Sequence, residues 1–418
     1  MTYDYLYILL IFLYVAVCFF EDVLRALNYS HLLKFGLIVP DVFKGLVDEN
    51  LMKRTRDYTL EHMKFGSISA IFEDCLLIIF VLGILNFYNS WILSFKLPFI
   101  LEGLAFFLIL SLVKTIINIP FDLYDSFKIE NKYGFNNMTV KLWISDFLKG
   151  ILISAVMTSL ILSAAFWLVL KFPDMWWFTV WLFLFIFTIF MMYISPYVLE
   201  PLFNKFTNID DPEFEGAIKE LLGKAGINVS RVFKMDASKR TNHSNAYFSG
   251  VGKTKRIVIY DTLLANLSKD EILAVLAHEA GHWKKKHILK NIIIIEILSL
   301  IGIYLAFLAL KSNYLPELFM VKQSSFCAKL IILSFIASIV TWPFTPLFNT
   351  LSRYFEREAD DFACNLTGNG NELASALVKL SKDNLSNMHP HPLYWKFHYS
   401  HPPVEVRVNY LKAYQKNI

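Results

Sequence analysis

The 418-residue chain is 56% hydrophobic and only 18% charged, and it contains 38 phenylalanines. Because soluble proteins of this size are less apolar and more charged, the composition excludes an ordinary soluble enzyme and indicates a membrane protein. The net charge of +4 is small and its basic residues are spread out, and the four cysteines are scattered. Neither nucleic-acid binding nor a disulfide framework is therefore predicted.

Seven apolar stretches are each roughly 20 residues long, the length that crosses about 30 Å of hydrocarbon as a helix. They are Tyr5–Leu24, Ile68–Tyr88, Leu97–Phe121, Phe147–Leu170, Met175–Ile194, Ile288–Leu310 and Lys329–Thr350. The first has no basic segment before it and no small-residue cleavage site after it, so we interpret it as a retained helix. The sequence therefore predicts a mainly α-helical protein that crosses the membrane seven times.

Polar residues lie within or near these spans: Glu73, Asp74, Glu102, Lys114, Asn118 and Glu296. Some of them could reach the membrane interface from a helix end. Taken together, they indicate helices with one side facing water or one another rather than lipid.

The distribution of lysine and arginine predicts the orientation in the membrane. None precedes the first span, whereas the loop that follows it carries Lys34, Lys44, Lys53, Arg54, Arg56 and Lys64. The loops after the third, fifth and seventh spans also carry more basic residues than those after the second, fourth and sixth. Since basic loops stay in the cytosol, the N-terminus is expected in the lumen and the C-terminus in the cytosol.

Two stretches have the composition of water-soluble protein, and both are expected on the cytosolic side. In the first, a helix is predicted over Pro212–Ala225, and strands over Arg231–Asp236, Asn245–Ser249 and Arg256–Tyr260, with a turn at residues 250–255. The predicted division is spans one to five with their loops (1–199), a segment with a metal motif and a small β-sheet (200–287), spans six and seven (288–350) and a C-terminal segment (351–418).

The metal motif is the pentapeptide H-E-A-G-H that starts at His278. An S-x-x-E capping box at Ser268 predicts a helix that begins shortly before it. On a helix, His278 and His282 are one turn apart on one face, so both imidazoles can bind one Zn²⁺, with Glu279 placed to act on a water beside it. The alternative is two surface histidines on an amphipathic helix.

A catalytic zinc site needs a third protein ligand, and the stretch that continues from the last span supplies candidates. Glu356 and Asp360 are four positions apart on one helical face. Glu356 is predicted to bind the metal, and Asp360 to accept a hydrogen bond from a ligand histidine. Glu358 points elsewhere and is expected to be solvated, although spacing alone does not exclude it as the ligand.

This set of residues predicts metal-assisted hydrolysis of peptide bonds. Zinc would polarise the scissile carbonyl, and Glu279 would carry the water proton to the leaving amine. His401 and Arg407 are candidates for stabilising the oxyanion. Five other histidines are interpreted as surface or packing residues: His243, His287, His389, His391 and His398.

Several stretches together resemble the type 1 CAAX prenyl endopeptidases, integral-membrane zinc metalloproteases. The resemblance includes residues 120–136, 201–206 and 243–248, the H-E-A-G-H motif, the S-R-x-x-E-x-x-A-D stretch from Ser352, and the terminal His-Pro-Pro with Arg407. One departure is that the family usually has Leu-x-Glu-Arg-Leu after His-Pro-Pro, whereas this chain has Val-Glu-Val-Arg-Val. The shift places any role of Glu405 in doubt.

The resemblance implies seven tilted helices around a water-filled chamber, capped by cytosolic segments that hold one zinc ion. It supports Glu356 as the third ligand and Asp360 behind it, and it implies that His401 and Arg407 act around the transition state. It further implies that a strand at Asn245 and Ala246 pairs with the substrate backbone. The implied activity is removal of the last three residues from prenylated CAAX C-termini, at the endoplasmic reticulum or inner nuclear membrane.

Two other functions remain open from the sequence. A general quality-control protease of the membrane would use the same zinc chemistry without requiring a prenyl group. A non-catalytic scaffold or transporter would fit the seven spans with their polar residues, but it would not need H-E-x-x-H and Glu356 together.

Overall fold

The computed structural model describes residues 2–227, 229, 231–249, 256–312 and 314–414. Within these residues, seven helices are long and apolar enough to cross a membrane. They are Tyr5–Phe35, Glu49–Ser94, Phe99–Glu130, Val140–Lys171, Trp176–Phe203, His287–Leu310 and Phe326–Thr367. The predicted number is confirmed, and seven of the fourteen predicted ends lie within three residues of a helix end. At the other seven ends the helix continues at least six residues beyond the apolar stretch. The turn predicted at residues 250–255 lies outside the described residues.

The individual elements are numbered in chain order. The helices are α1 Thr2–Phe35, α2 Glu49–Ile79, α3 Leu85–Ser94, α4 Phe99–Tyr124, α5 Val140–Lys171, α6 Trp176–Val198, α7 Glu200–Phe203, α8 Pro212–Lys224, α9 Asp261–Asn266, α10 Lys269–Lys284, α11 His287–Leu310, α12 Tyr314–Leu318, α13 Phe326–Thr341, α14 Thr345–Thr367, α15 Asn371–Asp383, α16 Pro392–His398 and α17 Val404–Ala413. The strands are β1 Phe206–Asn208, β2 Arg231–Met235, β3 Ala246–Ser249 and β4 Arg256–Tyr260. A π-helical turn, Phe80–Ile84, joins α2 to α3, and a 3-10 turn, Trp342–Phe344, joins α13 to α14.

The membrane helices form a closed ring. Going round it, α1 contacts α2, α3 contacts α4, and the contacts continue through α5, α6, α11 and α13 back to α1. Only 6–17% of the residues in the most apolar window of each span are buried inside the protein. Low burial on both faces is the property of a wall one helix thick, so the ring encloses a chamber instead of a solid core. This arrangement explains how polar residues can lie within the spans.

One end of the chamber is closed by apolar packing. The short helix α12 and the residues after it place Leu315, Leu318 and Phe319 between the ring helices, in one apolar cluster with Tyr14 of α1 and Ile332 of α13. All five side chains are buried. Helix α10, which carries the metal motif, and the end of α14 that carries its predicted partners lie at the opposite end, where they can assemble one site.

A four-stranded sheet lies at that opposite end, in the order β1-β2-β4-β3. β2 and β4 are parallel, whereas β1 and β3 pair antiparallel with their neighbours. The three predicted strands are confirmed to within one residue at each end. β1 was not predicted, because three residues are too few to form a recognisable alternating pattern. β3 lies at an edge of the sheet, a position that leaves one side of its backbone open to a partner.

The sheet packs on α8 and α10 through a core of fully buried side chains. Ile218 and Leu222 of α8 meet Ile257 of β4 and Leu276 of α10, and all four are completely excluded from solvent. Burial of each such side chain stabilises the fold by about 1.5–3 kcal/mol. This core fixes α10 against the sheet and, with it, the position of the metal motif relative to β3.

Candidate metal centre

The helix that carries the motif, α10, begins with the predicted capping box. The Glu271 amide donates to Ser268 Oγ at 3.3 Å, and the Ser268 amide donates to Glu271 Oε2 at 2.8 Å. Glu271 also accepts hydrogen bonds from Ser375 Oγ at 2.6 Å and Lys379 Nζ at 2.8 Å, both on α15. Hydrogen bonds therefore close the first turn of α10 and also join it to α15 in the C-terminal segment.

Gly281 lets α10 approach α14 closely. A Cβ atom at this position would lie 2.9 Å from Ala359 Cα and 3.1 Å from the Ala359 carbonyl oxygen, which is closer than non-bonded atoms tolerate. Ala359 is itself completely buried. The backbone contact between these two small residues brings His278 and His282 on α10 within reach of Glu356 on α14.

The three predicted ligands lie together. Nε2 of His278 and Nε2 of His282 are 3.2 Å apart. The Glu356 carboxylate lies 3.4 Å from the first through Oε2 and 3.2 Å from the second through Oε1. With zinc bonds of about 2.0–2.1 Å, the edges of a ligand tetrahedron measure about 3.3 Å, so the three residues fit a zinc ion. Among the described residues, Glu356 Oε2 is buried and makes no hydrogen bond, only ion-pair approaches to His278 and Arg407, which also fits a carboxylate whose partner is a metal.

Asp360 lies directly behind the first ligand. Its Oδ1 is 2.8 Å from His278 Nδ1, and it also accepts a 2.6 Å hydrogen bond from Arg407 Nη2. Arg407 bonds Asp360 a second time through Nε, at 3.0 Å, and places Nη1 3.3 Å from Glu356 Oε2. Burial lowers the pKa of His278, but hydrogen bonds to Asp360 and Glu356 outweigh it and raise the pKa to about 9. Binding of a metal ion here would therefore displace a proton from this imidazole.

Glu279 and His401 lie at the open side of the ligand cluster. Glu279 is partly exposed and lines the cavity in front of the ligands. His401 is exposed, with Nε2 3.1 Å from Glu356 Oε1 and Nδ1 2.9 Å from Ser400 Oγ. The cavity has a volume of about 500 Å³ and brings together all the predicted site residues except Asp360.

The cavity also reaches the edge strand, where Asn245 and Ala246 line it. The Asn245 carbonyl accepts a 3.0 Å hydrogen bond from the Tyr260 amide, so this pair is bonded across β3 and β4. Because antiparallel pairing alternates, the amide and carbonyl of Ala246 face away from β4. The Ala246 amide contacts Asn245 Oδ1 at 2.8 Å instead.

His243, just before this edge strand, was interpreted as a surface or packing residue but has specific partners. Its ring stacks on Phe135 with centroids 4.2 Å apart. Nε2 lies 3.1 Å from Glu130 Oε2, and Nδ1 lies 3.0 Å from Asn384 Oδ1. The start of the edge strand is therefore held between the membrane ring and the C-terminal segment.

His287 was also interpreted as a surface or packing residue, but it is buried and contacts a predicted ligand. Its Nδ1 is 3.0 Å from His282 Nδ1, and its Nε2 is 3.1 Å from Glu358 Oε2. Glu358 was expected to be solvated, but it pairs with His287. It does not lie with His278, His282 and Glu356 at the metal centre. No spacing rule could have found this pair. The other three histidines of that group contact other regions: His389 bonds the Ile38 carbonyl, His391 caps α16, and His398 pairs with Glu21.

Comparisons with known proteins agree along the whole chain. Residues 28–205 match the family described as CAAX prenyl protease N-terminal, five membrane helices, and residues 208–415 match peptidase family M48. The chain is 34% identical to CAAX prenyl protease 1 of Saccharomyces cerevisiae, over 95% of this chain and 94% of that protein. It is also 34% identical to the CAAX prenyl protease 1 homolog of Arabidopsis thaliana, over 90% and 91%. The crystal structure of S. mikatae Ste24p matches with a TM-score of 0.89 and 30% identity, covering 97% of this chain and 98% of that one.

Proposed function

Because this chain belongs to peptidase family M48, among the CAAX prenyl proteases of type 1, we propose that it removes the last three residues from prenylated CAAX C-termini. The protein is a zinc metalloprotease that spans the membrane. The observation that carries the assignment is the convergence of two imidazoles and one carboxylate at zinc-binding separations, at the open end of the ring of membrane helices.

We assign zinc to His278, His282 and Glu356. When bound, zinc acts as a Lewis acid that polarises the scissile carbonyl and lowers the pKa of water. The carboxylate of Glu279 accepts the proton of the attacking water and then donates it to the amine of the leaving peptide. Its place on α10 beside His278, at the wall of the cavity, supports this role.

Asp360, Arg407 and His401 are assigned supporting roles. Asp360 holds the Nδ1 proton of His278, so that Nε2 keeps its lone pair for the metal. Arg407 neutralises part of the charge of Asp360 and Glu356 and adds positive charge beside the reacting carbonyl. His401, on the exposed side, is placed to donate a hydrogen bond to the oxyanion in the transition state.

Substrate is held by strand addition to β3. An extended peptide would bond the outward-facing amide and carbonyl of Ala246, displacing the Asn245 side chain from the amide. Main-chain hydrogen bonds hold a C-terminal peptide without depending on its side chains, so one site can bind different CAAX sequences.

The site is assigned to the cytosolic face, with the N-terminus in the lumen of the endoplasmic reticulum and the inner nuclear membrane as a second location. The excess of lysine and arginine in the loops at the metal-centre end supports this orientation. A glycosylation acceptor fused after residue 418 should stay unmodified, and modification of that acceptor would reverse the assignment.

The proposal is tested with purified protein and a fluorescent farnesylated CAAX peptide. Glu279→Ala should remain folded and zinc-loaded but lose cleavage, and retained turnover would refute the assigned base. The same peptide without its prenyl group should be cleaved much more slowly. Equal rates on both peptides would instead support a general membrane protease.

A further inference from the structure

The second zinc ligand, His282, has a hydrogen-bond partner of its own on the far side of its ring. Nε2 of His282 faces His278 and Glu356, so Nε2 is the metal-binding nitrogen. The other nitrogen, Nδ1, lies 3.0 Å from Nδ1 of His287. A neutral imidazole that binds zinc through Nε2 carries its hydrogen on Nδ1, and this hydrogen therefore points at His287.

The hydrogen bonds of His287 are consistent with acceptance of that hydrogen. If Nδ1 of His287 accepts from His282, its own hydrogen is on Nε2, and Nε2 lies 3.1 Å from Glu358 Oε2. The three groups thus form a directed chain in which His282 donates to His287 and His287 donates to Glu358. Each nitrogen in the chain has one defined role.

The backbone is bent to make this contact possible. In a continuous α-helix, a residue five positions after His282 would point about 140° away from it around the axis. The chain instead ends α10 at Lys284 and adopts a left-handed conformation at Lys286, with φ of 59°, before α11 begins at His287. This conformation is unfavourable for a residue with a side chain, and here it returns the imidazole to His282.

The environment also fixes the ring of His287. Its side chain is only 3% exposed and stacks on Phe355 with centroids 4.3 Å apart and planes within 9° of parallel. Phe355 directly precedes the third proposed ligand on α14. The ring is therefore clamped between the two helices that bind the metal.

We propose that His287 is a positioning residue for the zinc ligand His282, and that Glu358 orients His287 in turn. The inference rests on the zinc site of the proposed function. It makes the site symmetrical: Asp360 holds the outer nitrogen of His278, and the pair of His287 and Glu358 holds the outer nitrogen of His282. Partners of this kind fix the tautomer and the direction of the ligand, and their loss typically weakens metal binding about 10- to 100-fold.

The test measures zinc affinity of the full-length protein in detergent, by competition with a chromophoric chelator. His287→Ala should bind zinc about 10- to 100-fold more weakly than wild type. His287→Asn should recover most of the affinity, because its Oδ1 occupies the place of Nδ1 and can accept from His282. Glu358→Ala removes the acceptor for His287 Nε2 and should also weaken zinc binding, by less than His287→Ala does.

Lys290→Gln is the matched control, since Lys290 lies 3.5 Å from Glu358 but does not touch His282. It should leave zinc affinity unchanged. The absorption spectrum of the cobalt-substituted protein should change in His287→Ala and not in this control. The unfolding midpoint of each metal-free variant is measured alongside.

Wild-type affinity in a folded His287→Ala protein would overturn the inference. So would equal losses in His287→Ala and His287→Asn that follow a lower metal-free unfolding midpoint, because they would indicate a packing role only. Should His287→Ala not fold, the affinity of His287→Asn decides between the two outcomes. Failure of wild type itself to bind zinc would refute the proposed metal centre instead, so the two failures are distinguishable.

Discussion

Gly281→Ala should impair the metal site more than it destabilises the fold, because one added methyl group would enter a close contact between α10 and α14. The new Cβ would lie 2.9 Å from Ala359 Cα, 3.1 Å from the Ala359 oxygen and 3.2 Å from Phe362 Cβ. Optimal carbon–carbon contact requires about 3.5–4.0 Å, so the helices must separate by roughly 0.5–1 Å. Overpacking of this kind costs about 1–3 kcal/mol, and alanine in a helix returns about 1 kcal/mol relative to glycine. The net loss of stability should therefore be at most about 2 kcal/mol.

Zinc affinity and the rate of cleavage should be reduced more strongly by Gly281→Ala than the free energy of unfolding. The displaced helices carry ligands on both sides of the metal, and a shift of about 1 Å at a catalytic site can cost about 100-fold in rate. Zinc affinity and cleavage of a prenylated peptide are measured together with the unfolding midpoint. Gly216→Ala is the matched control: Gly216 lies inside α8, where an added Cβ meets nothing within 4 Å, and alanine there should stabilise the protein by about 0.5–1 kcal/mol. A Gly281→Ala protein that behaves like this control would refute the reasoning.

Three further outcomes are expected. Asp360→Asn should weaken zinc binding about 10- to 100-fold, because the charge that holds the His278 proton is lost; unchanged affinity in a chelator competition would contradict the role of Asp360. Burial alone would raise the pKa of Glu271, but hydrogen bonds from Lys379 and Ser375 outweigh it and keep the pKa below 4.5. Since the folded-state pKa is lowered, the stabilisation is complete at neutral pH and is lost as the pH falls below about 4.5. The advantage of wild type over Glu271→Gln in unfolding midpoint should shrink in the same range, and a gap independent of pH would argue against it. A peptide substrate that is N-methylated at the amide opposite β3 should be cleaved about tenfold more slowly, because it loses one hydrogen bond to the enzyme in the transition state. Methylation of the next amide along the peptide should have less effect.

The long-range contacts of the site could not be predicted from the sequence. His243 meets Glu130 across more than a hundred positions, and no periodic pattern connects two residues so far apart. The pairing of His282 with His287 depends on one left-handed residue, Lys286, which is not a glycine and so gives no signal of a break. The edge position of β3 follows from the order of the strands, since strand pairing is decided by contacts between segments.

The sequence by itself determined the local features of this protein. Stretches long and apolar enough to span a membrane fixed the number of crossings, the capping box at Ser268 fixed the start of α10, and four-residue spacing placed both histidines on one helical face and Glu356 with Asp360 on another. All of these depend on hydropathy or helical period, which neighbouring residues define. The tertiary structure alone decided how closely α10 and α14 approach at Gly281, which partner orients His282, and which strand edge faces the cavity, because each depends on packing between segments distant in the chain.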